Sequence, residues 1–121
     1  MITFQYDKDN QCFSMELYDI LFSCDAEPAS YEFTAWRLAK QYRARLPFIA
    51  EYVVGNEEFR EIYGEMSIDD FLILLEKEFT IPWIHLKENN CGTIAYSDSE
   101  YVIEFEFRRD FEEFCGLSID E

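Results

Sequence analysis

Between Tyr101 and Arg108 the chain alternates without a break, with Tyr101, Ile103, Phe105 and Phe107 on one side and Val102, Glu104, Glu106 and Arg108 on the other. Successive side chains of a strand point to opposite faces, so this segment has one face for a core and one for water. Antiparallel sheets accept that arrangement, whereas parallel sheets are covered on both faces. The segment therefore predicts an antiparallel sheet packed on a single side.

Two further segments, residues 81–86 and 91–96, have strand character and are joined by turn residues at 87–90 and 97–99, which predicts a three-stranded meander with residues 100–108. At the other end Ile2, Phe4 and Tyr6 alternate with Thr3 and Gln5. The polar run Asp7, Lys8, Asp9 and Asn10 follows, and Phe13, Met15 and Leu17 resume the alternation, as in a β-hairpin. Strict alternation fails over residues 18–22, which predicts a bulge or a change of strand near Asp19. The edges open to a partner strand are then expected at residues 2–6 or 81–86, with Pro82 marking the second as an edge.

The middle of the chain has helical spacing. Phe33, Trp36, Leu38, Ala39, Tyr42 and Leu46 recur at three to four residues behind a cap at Ser30, giving a helix over 30–46. Pro47 lacks an N–H and clashes with the preceding turn, so it is expected to end or kink that helix and to leave a second segment over 48–54, closed by Gly55. Asn56 caps a short helix ending at Gly64. Ser67, followed by Asp69 and Asp70, caps another whose stripe is Ile68, Phe71, Leu72, Leu75 and Phe79. Asp110 with Glu113 is expected to open a short C-terminal helix through Cys115, with Gly116 at its end.

The fold expected is thus α+β: one domain over residues 1–121, with an antiparallel sheet of about five strands, a central helical block on one face, and a short C-terminal helix. No Pro/Gly/Ser-rich or low-complexity stretch divides the 121 residues, and 12 Phe, 8 Tyr and 2 Trp supply ample surface for a core.

Motifs for chemistry are sparse. No Walker loop, GxGxxG, GxSxG or HExxH occurs, and the four glycines stand alone at 55, 64, 92 and 116. His85 is the only histidine, which argues against a two-His metal site and any His-based nucleophile scheme within one chain; a packed or half-exposed structural histidine is the expectation. Cys12, Cys24, Cys91 and Cys115 have 11, 66 and 23 intervening residues, not zinc-finger or ribbon spacing, and read as buried reduced thiols of a cytosolic protein. Asp98 with Glu104 and Glu106 invites comparison with a carboxylate metal site, but a solvated sheet face accounts for the pair. No catalytic residue, cofactor site or metal site is expected.

Charge is the informative feature. The chain carries 26 acidic and 10 basic side chains, net −16, and residues 51–121 alone hold 19 acidic and 5 basic, net −14. A field of that sign repels phosphate backbones and anionic membranes and attracts basic proteins. No apolar run approaches the roughly 20 residues that span a bilayer, and the N-terminal segment lacks the pattern of a signal peptide, so a cytoplasmic location is expected. Glu57, Glu61 and Glu65 recur at intervals of four, with Glu58 beside them and Asp69 and Asp70 following; like charges so spaced destabilise a helix, and only Arg60 is at hand to relieve them. The basic island Arg37, Lys40, Arg43 and Arg45 offers a grip for an anion, but the expectation is that it neutralises the nearby acidic half or forms intramolecular ion pairs.

In size, acidity and mixed α+β layout the whole chain resembles small acidic bacterial immunity proteins of contact-dependent or polymorphic toxin systems. The resemblance implies a non-enzymatic inhibitor that blocks the active-site region of a basic, nuclease-type toxin. Glu57, Glu58, Glu61, Glu65, Asp69 and Asp70, with Glu104 and Glu106 as a second patch, would then make the contact. Two other readings are a nucleic-acid mimic that occupies a DNA- or RNA-binding protein, and a small enzyme or ligand-binding domain built on an aromatic pocket with tyrosine, Trp83 and one carboxylate.

Overall fold

The computed structural model describes residues 3–121, so Ile2 of the expected N-terminal strand lies outside the described residues. Seven strands among them form one sheet: β1 (Gln5–Asp7), β2 (Cys12–Leu17), β3 (Ile20–Cys24), β4 (Trp83–Lys87), β5 (Cys91–Ser97), β6 (Val102–Arg108) and β7 (Glu113–Asp120). They lie in sequence order across the sheet, with every neighbouring pair antiparallel except β3 and β4. Between those two strands run α1 (Pro28–Val54), α2 (Glu57–Tyr63) and α3 (Ile68–Glu78). The sheet is therefore mixed, seven-stranded rather than about five-stranded, in one α+β domain.

Two extra strands account for the difference in count. The break in alternation near Asp19 is a tight turn: Tyr18 and Asp19 adopt φ 49° and 61°, and Leu17 pairs directly with Ile20. Turns of this hand follow the twist of the flanking strands, so the second arm splits into β2 and β3. At the C-terminus the expected helix is instead β7. Arg109, Asp110 and Phe111 all have positive φ (53°, 54° and 73°), which no α-helix accepts, and the chain reverses there onto β6. That turn is held from outside. Arg37 grips Asp110 at 2.9 and 3.1 Å, Arg45 donates to the Phe111 carbonyl, and the Phe111 ring is fully buried against Phe107. Gly116 (φ 68°) then occupies the register shift between Glu104 and Glu106, which hides the alternation of β7 in the sequence.

Pro28 opens α1 two residues before the expected cap, at a position where its missing N–H costs nothing. Pro47 neither ends nor splits the helix. Losing one helical hydrogen bond and accommodating the ring costs about 3 kcal/mol, but the apolar stripe Leu38, Ala39, Tyr42, Leu46, Ile49, Ala50 and Val53 runs on past it. All seven side chains are buried or half-buried, and Pro47 itself faces water. Helices α2 and α3 begin as expected, with Asn56 accepting from the Phe59 N–H at 3.2 Å and Ser67 from the Asp70 N–H at 3.0 Å.

All three helices cover the same face of the sheet. Phe22, Ile84, Ile94, Phe105 and Phe107 meet Leu38, Ile49 and Val53 of α1, Phe59 of α2 and Phe71 of α3, all fully buried or nearly so. The other face is open and carries Ser14, Glu16, Leu21, Trp83, His85, Thr93, Glu104 and Glu106. Strand β4 lies in the middle of the sheet, so residues 81–86 are no edge. Pro82 precedes the strand, where its carbonyl accepts from the Leu21 N–H at 2.9 Å. The edges are β1 and β7.

Candidate functional site

At the end of α1 the side chains of Arg45, Phe48, Glu51 and Tyr52 come up on neighbouring turns. Gly55 and Asn56 bend the chain into α2, which brings Glu57 back toward them, while the turn before β7 adds Glu112 and the start of β7 adds Phe114. Together they line a shallow, open cleft of about 580 Å³. Its floor is aromatic: Tyr52 packs against Phe105 and Phe114 with centroids 5.4 and 5.6 Å away. The Tyr52 hydroxyl accepts from the Leu117 N–H at 3.2 Å, which ties β7 to α1. Burial pushes the Tyr52 phenol upward, against the opposing effect of that hydrogen bond, so it stays neutral.

The rim is acidic. Glu51, Glu57 and Glu112 are all exposed, and none forms an ion pair among the described residues. Phe48 is half exposed beside them, with the Arg45 guanidinium 4.3 Å above its ring while Arg45 also donates to the Phe111 carbonyl. Carboxylates around an apolar floor suit an inserted arginine or lysine, whose stem covers the aromatics while its head group meets the acids.

Of the acids singled out by the sequence, Glu57 alone lines this cleft. Glu58 shares the first turn of α2, Glu61 lies one turn on, and Glu65 follows the end of that helix; Asp69 and Asp70 open α3. All six are exposed and free of ion pairs among the described residues. The expected relief by Arg60 does not occur, because its guanidinium donates to the Gly55 carbonyl at 2.9 Å and so caps the end of α1. Glu104 and Glu106 are exposed on the open face of the sheet, away from the helices, so the two sets do not form one patch. Glu51 stands alone in the sequence and Glu112 lies in the short acidic stretch Asp110, Glu112 and Glu113 that reads as the start of a helix; only the helix continuing through Pro47 and the tight turn at residues 109–111 bring them to Glu57.

Asp98 is not joined to Glu104 and Glu106. It closes the β5–β6 turn, accepting from the backbone N–H groups of Glu100 and Tyr101 at 2.8 and 2.6 Å and from the Tyr63 hydroxyl at 2.8 Å. Burial opposes its charge, yet these donors outweigh it and hold the carboxyl below its usual range. Among the described residues no three His, Cys, Asp or Glu side chains gather in a metal-holding group. Cys12 and Cys24 are buried, Cys91 and Cys115 half-buried, and all four thiols are free. Burial pushes the Cys24 thiol up to about 11, which disfavours the reactive thiolate.

His85 is half-buried, as expected, but its partners come from far along the chain. Ser23 Oγ lies 2.6 Å from His85 Nδ1, His85 Nε2 lies 3.3 Å from Asp25, and the Trp83 indole N–H donates to Ser23 Oγ at 2.6 Å. The exclusion drawn from the histidine count was too broad, since one histidine suffices for a Ser–His–carboxylate chain. Here the serine is fully buried and its oxygen already accepts from Trp83, so the chain fixes the indole on the open face and offers no accessible nucleophile. Trp83 accordingly lines none of the clefts described. The basic island divides: Arg37 and Arg45 find partners within the chain, and Lys40 and Arg43 form no ion pair among the described residues.

No helix among the described residues is long and apolar enough to cross a membrane. Comparison with protein-family models, with curated proteins and with solved structures gives no match for this chain.

Proposed function

We propose that this chain is a non-enzymatic inhibitor that binds a basic protein, and in its finer form a cytoplasmic immunity protein that covers the cationic active-site region of a nuclease-type toxin. The observation that carries the reading is the cleft between α1 and α2. Three carboxylates, Glu51, Glu57 and Glu112, stand unpaired around an aromatic floor beside half-exposed Phe48. The exposed acids Glu58, Glu61, Glu65, Asp69 and Asp70 extend the negative field along α2 and α3, and Glu104 and Glu106 form a separate acidic patch on the sheet. Such a field speeds encounter with a cationic surface, and the desolvated aromatics supply affinity once contact is made.

The test begins with capture of the tagged protein's partners from its own cells at low and then moderate salt, with a nuclease-treated control. The retained basic protein is then titrated with wild type and with the Glu51→Lys, Glu57→Lys, Glu112→Lys triple variant. Association should slow about 10- to 100-fold at low salt, and the difference should shrink as salt rises. Unchanged association would remove the cleft from the interface. Loss of every basic protein at moderate salt would overturn the binding reading, and competition with nucleic acid for many partners would favour a mimic.

A further inference from the structure

Between α1 and α3, above the ends of β3 and β4, lies a second cleft of about 610 Å³ whose lining is mostly apolar. We infer that it binds a small amphipathic organic carboxylate, with the apolar body against Leu72 and Leu75 and the carboxylate between Lys40 and Arg43. The volume falls in the range of sites for small organic ligands. It is separate from the acidic cleft and shares none of its lining residues.

Charge selects the class of ligand. Of the chain's 10 Lys and Arg side chains, Lys40 and Arg43 are the two that line this cleft. Lys40 and Arg43 are three residues apart on α1, exposed, and in no ion pair among the described residues, although Asp19 and Glu76 line the same cleft. An anion at the mouth meets two free donors there, and Arg43 offers the planar fork that matches a carboxylate. The net charge of −16 opposes an anion over the surface as a whole, so these two donors have to supply the local attraction.

The second recognition element lies inside the cleft. Tyr42 and Tyr96 both line it, and their hydroxyls are 2.5 Å apart. Burial pushes the Tyr42 phenol up to about 12 and the Tyr96 phenol well above its ordinary range, so both keep their protons. Two hydroxyl hydrogens share one hydrogen bond, which leaves the second without an acceptor among the described residues. An oxygen on the ligand's far end satisfies it, so a hydroxy- or oxo-carboxylate fits better than a plain one.

The experiment is a calorimetric and NMR titration of the intact protein with decanoate, decanol, decylammonium and ω-hydroxydecanoate. Decanoate should bind more tightly than decanol, and decanol more tightly than decylammonium, in spite of the net −16 charge. Methyl shifts should centre on Leu72 and Leu75. Lys40→Ala with Arg43→Ala, both at the surface, should weaken decanoate about tenfold and leave decanol unchanged. Tyr42→Phe should weaken ω-hydroxydecanoate but not decanoate, and Leu75→Trp, which fills the cleft, should abolish binding. No binding of decanoate, tighter binding of decylammonium, or a double alanine variant that binds decanoate like wild type would overturn the inference; that last variant keeps the test decisive even where Leu75→Trp fails to fold.

Discussion

Gly92 sits in the middle of the sheet, on β5 between Leu86 of β4 and Phe107 of β6, with its missing side chain facing the helices. A Cβ built there falls 2.4 Å from the His85 carbonyl oxygen and 2.7 and 2.8 Å from two atoms of the Phe107 ring. Neither neighbour yields easily. The carbonyl belongs to the backbone of a central strand, and the ring is fully buried with the tilted Phe111 ring 4.8 Å away. Overpacking of a core costs about 1–3 kcal/mol; displacing the strand adds to it, and the gain of roughly 0.5–1 kcal/mol from replacing a strand glycine offsets part. Gly92→Ala should therefore destabilise by about 3 kcal/mol. With an unfolding entropy near 2.1 cal/mol/K per residue, that is a fall of about 12 °C in Tm for a chain of this length. Thermal melts by far-UV circular dichroism, with urea titrations alongside, measure it. A drop below about 3 °C would refute the close approach of β4 and Phe107 to this glycine.

Ser23→Ala leaves the Trp83 indole N–H and His85 Nδ1 without their partner, and should cost about 1–3 kcal/mol with a change in tryptophan emission; unaltered melting would show the network to be idle. Asp98→Asn removes a carboxylate held below its usual range, whose stabilisation is present above the unfolded pKa of about 3.9 and lost as pH falls through the lower folded value. The variant should be about 1 kcal/mol less stable at pH 7, and the gap between it and wild type should close in acid; a gap that stays constant with pH counts against the ionised Asp98 as the cause. Pro47→Ala restores a helical N–H inside α1 and should raise stability by about 1–3 kcal/mol in urea melts, whereas a loss would mean that the proline shapes the helix rather than being tolerated by it.

Local signals in the sequence were enough for the elements whose partners lie close in the chain. The alternation of residues 101–108 places Ile103, Phe105 and Phe107 inside and Glu104 and Glu106 outside, and the caps at Asn56 and Ser67 start α2 and α3, because strand parity and side-chain capping act within a few residues. The exposure of Glu57, Glu58, Glu61, Glu65, Asp69 and Asp70 follows from the same periodicity. What the neighbours could not decide is what distant groups hold in place. Phe111 and Asp110 have helix-like neighbours, yet Arg37 and Arg45, more than 60 residues away, stabilise a left-handed turn that makes β7 a strand. Pro47 argues for a break, and burial of the row on both sides of it overrides the local cost. The acidic cleft depends on both outcomes, since Glu51 and Glu112 reach Glu57 only through them. Net charge, a sum over residues, is therefore legible in the sequence, but the grouping of particular carboxylates around a pocket depends on long-range packing and is set by the tertiary structure alone.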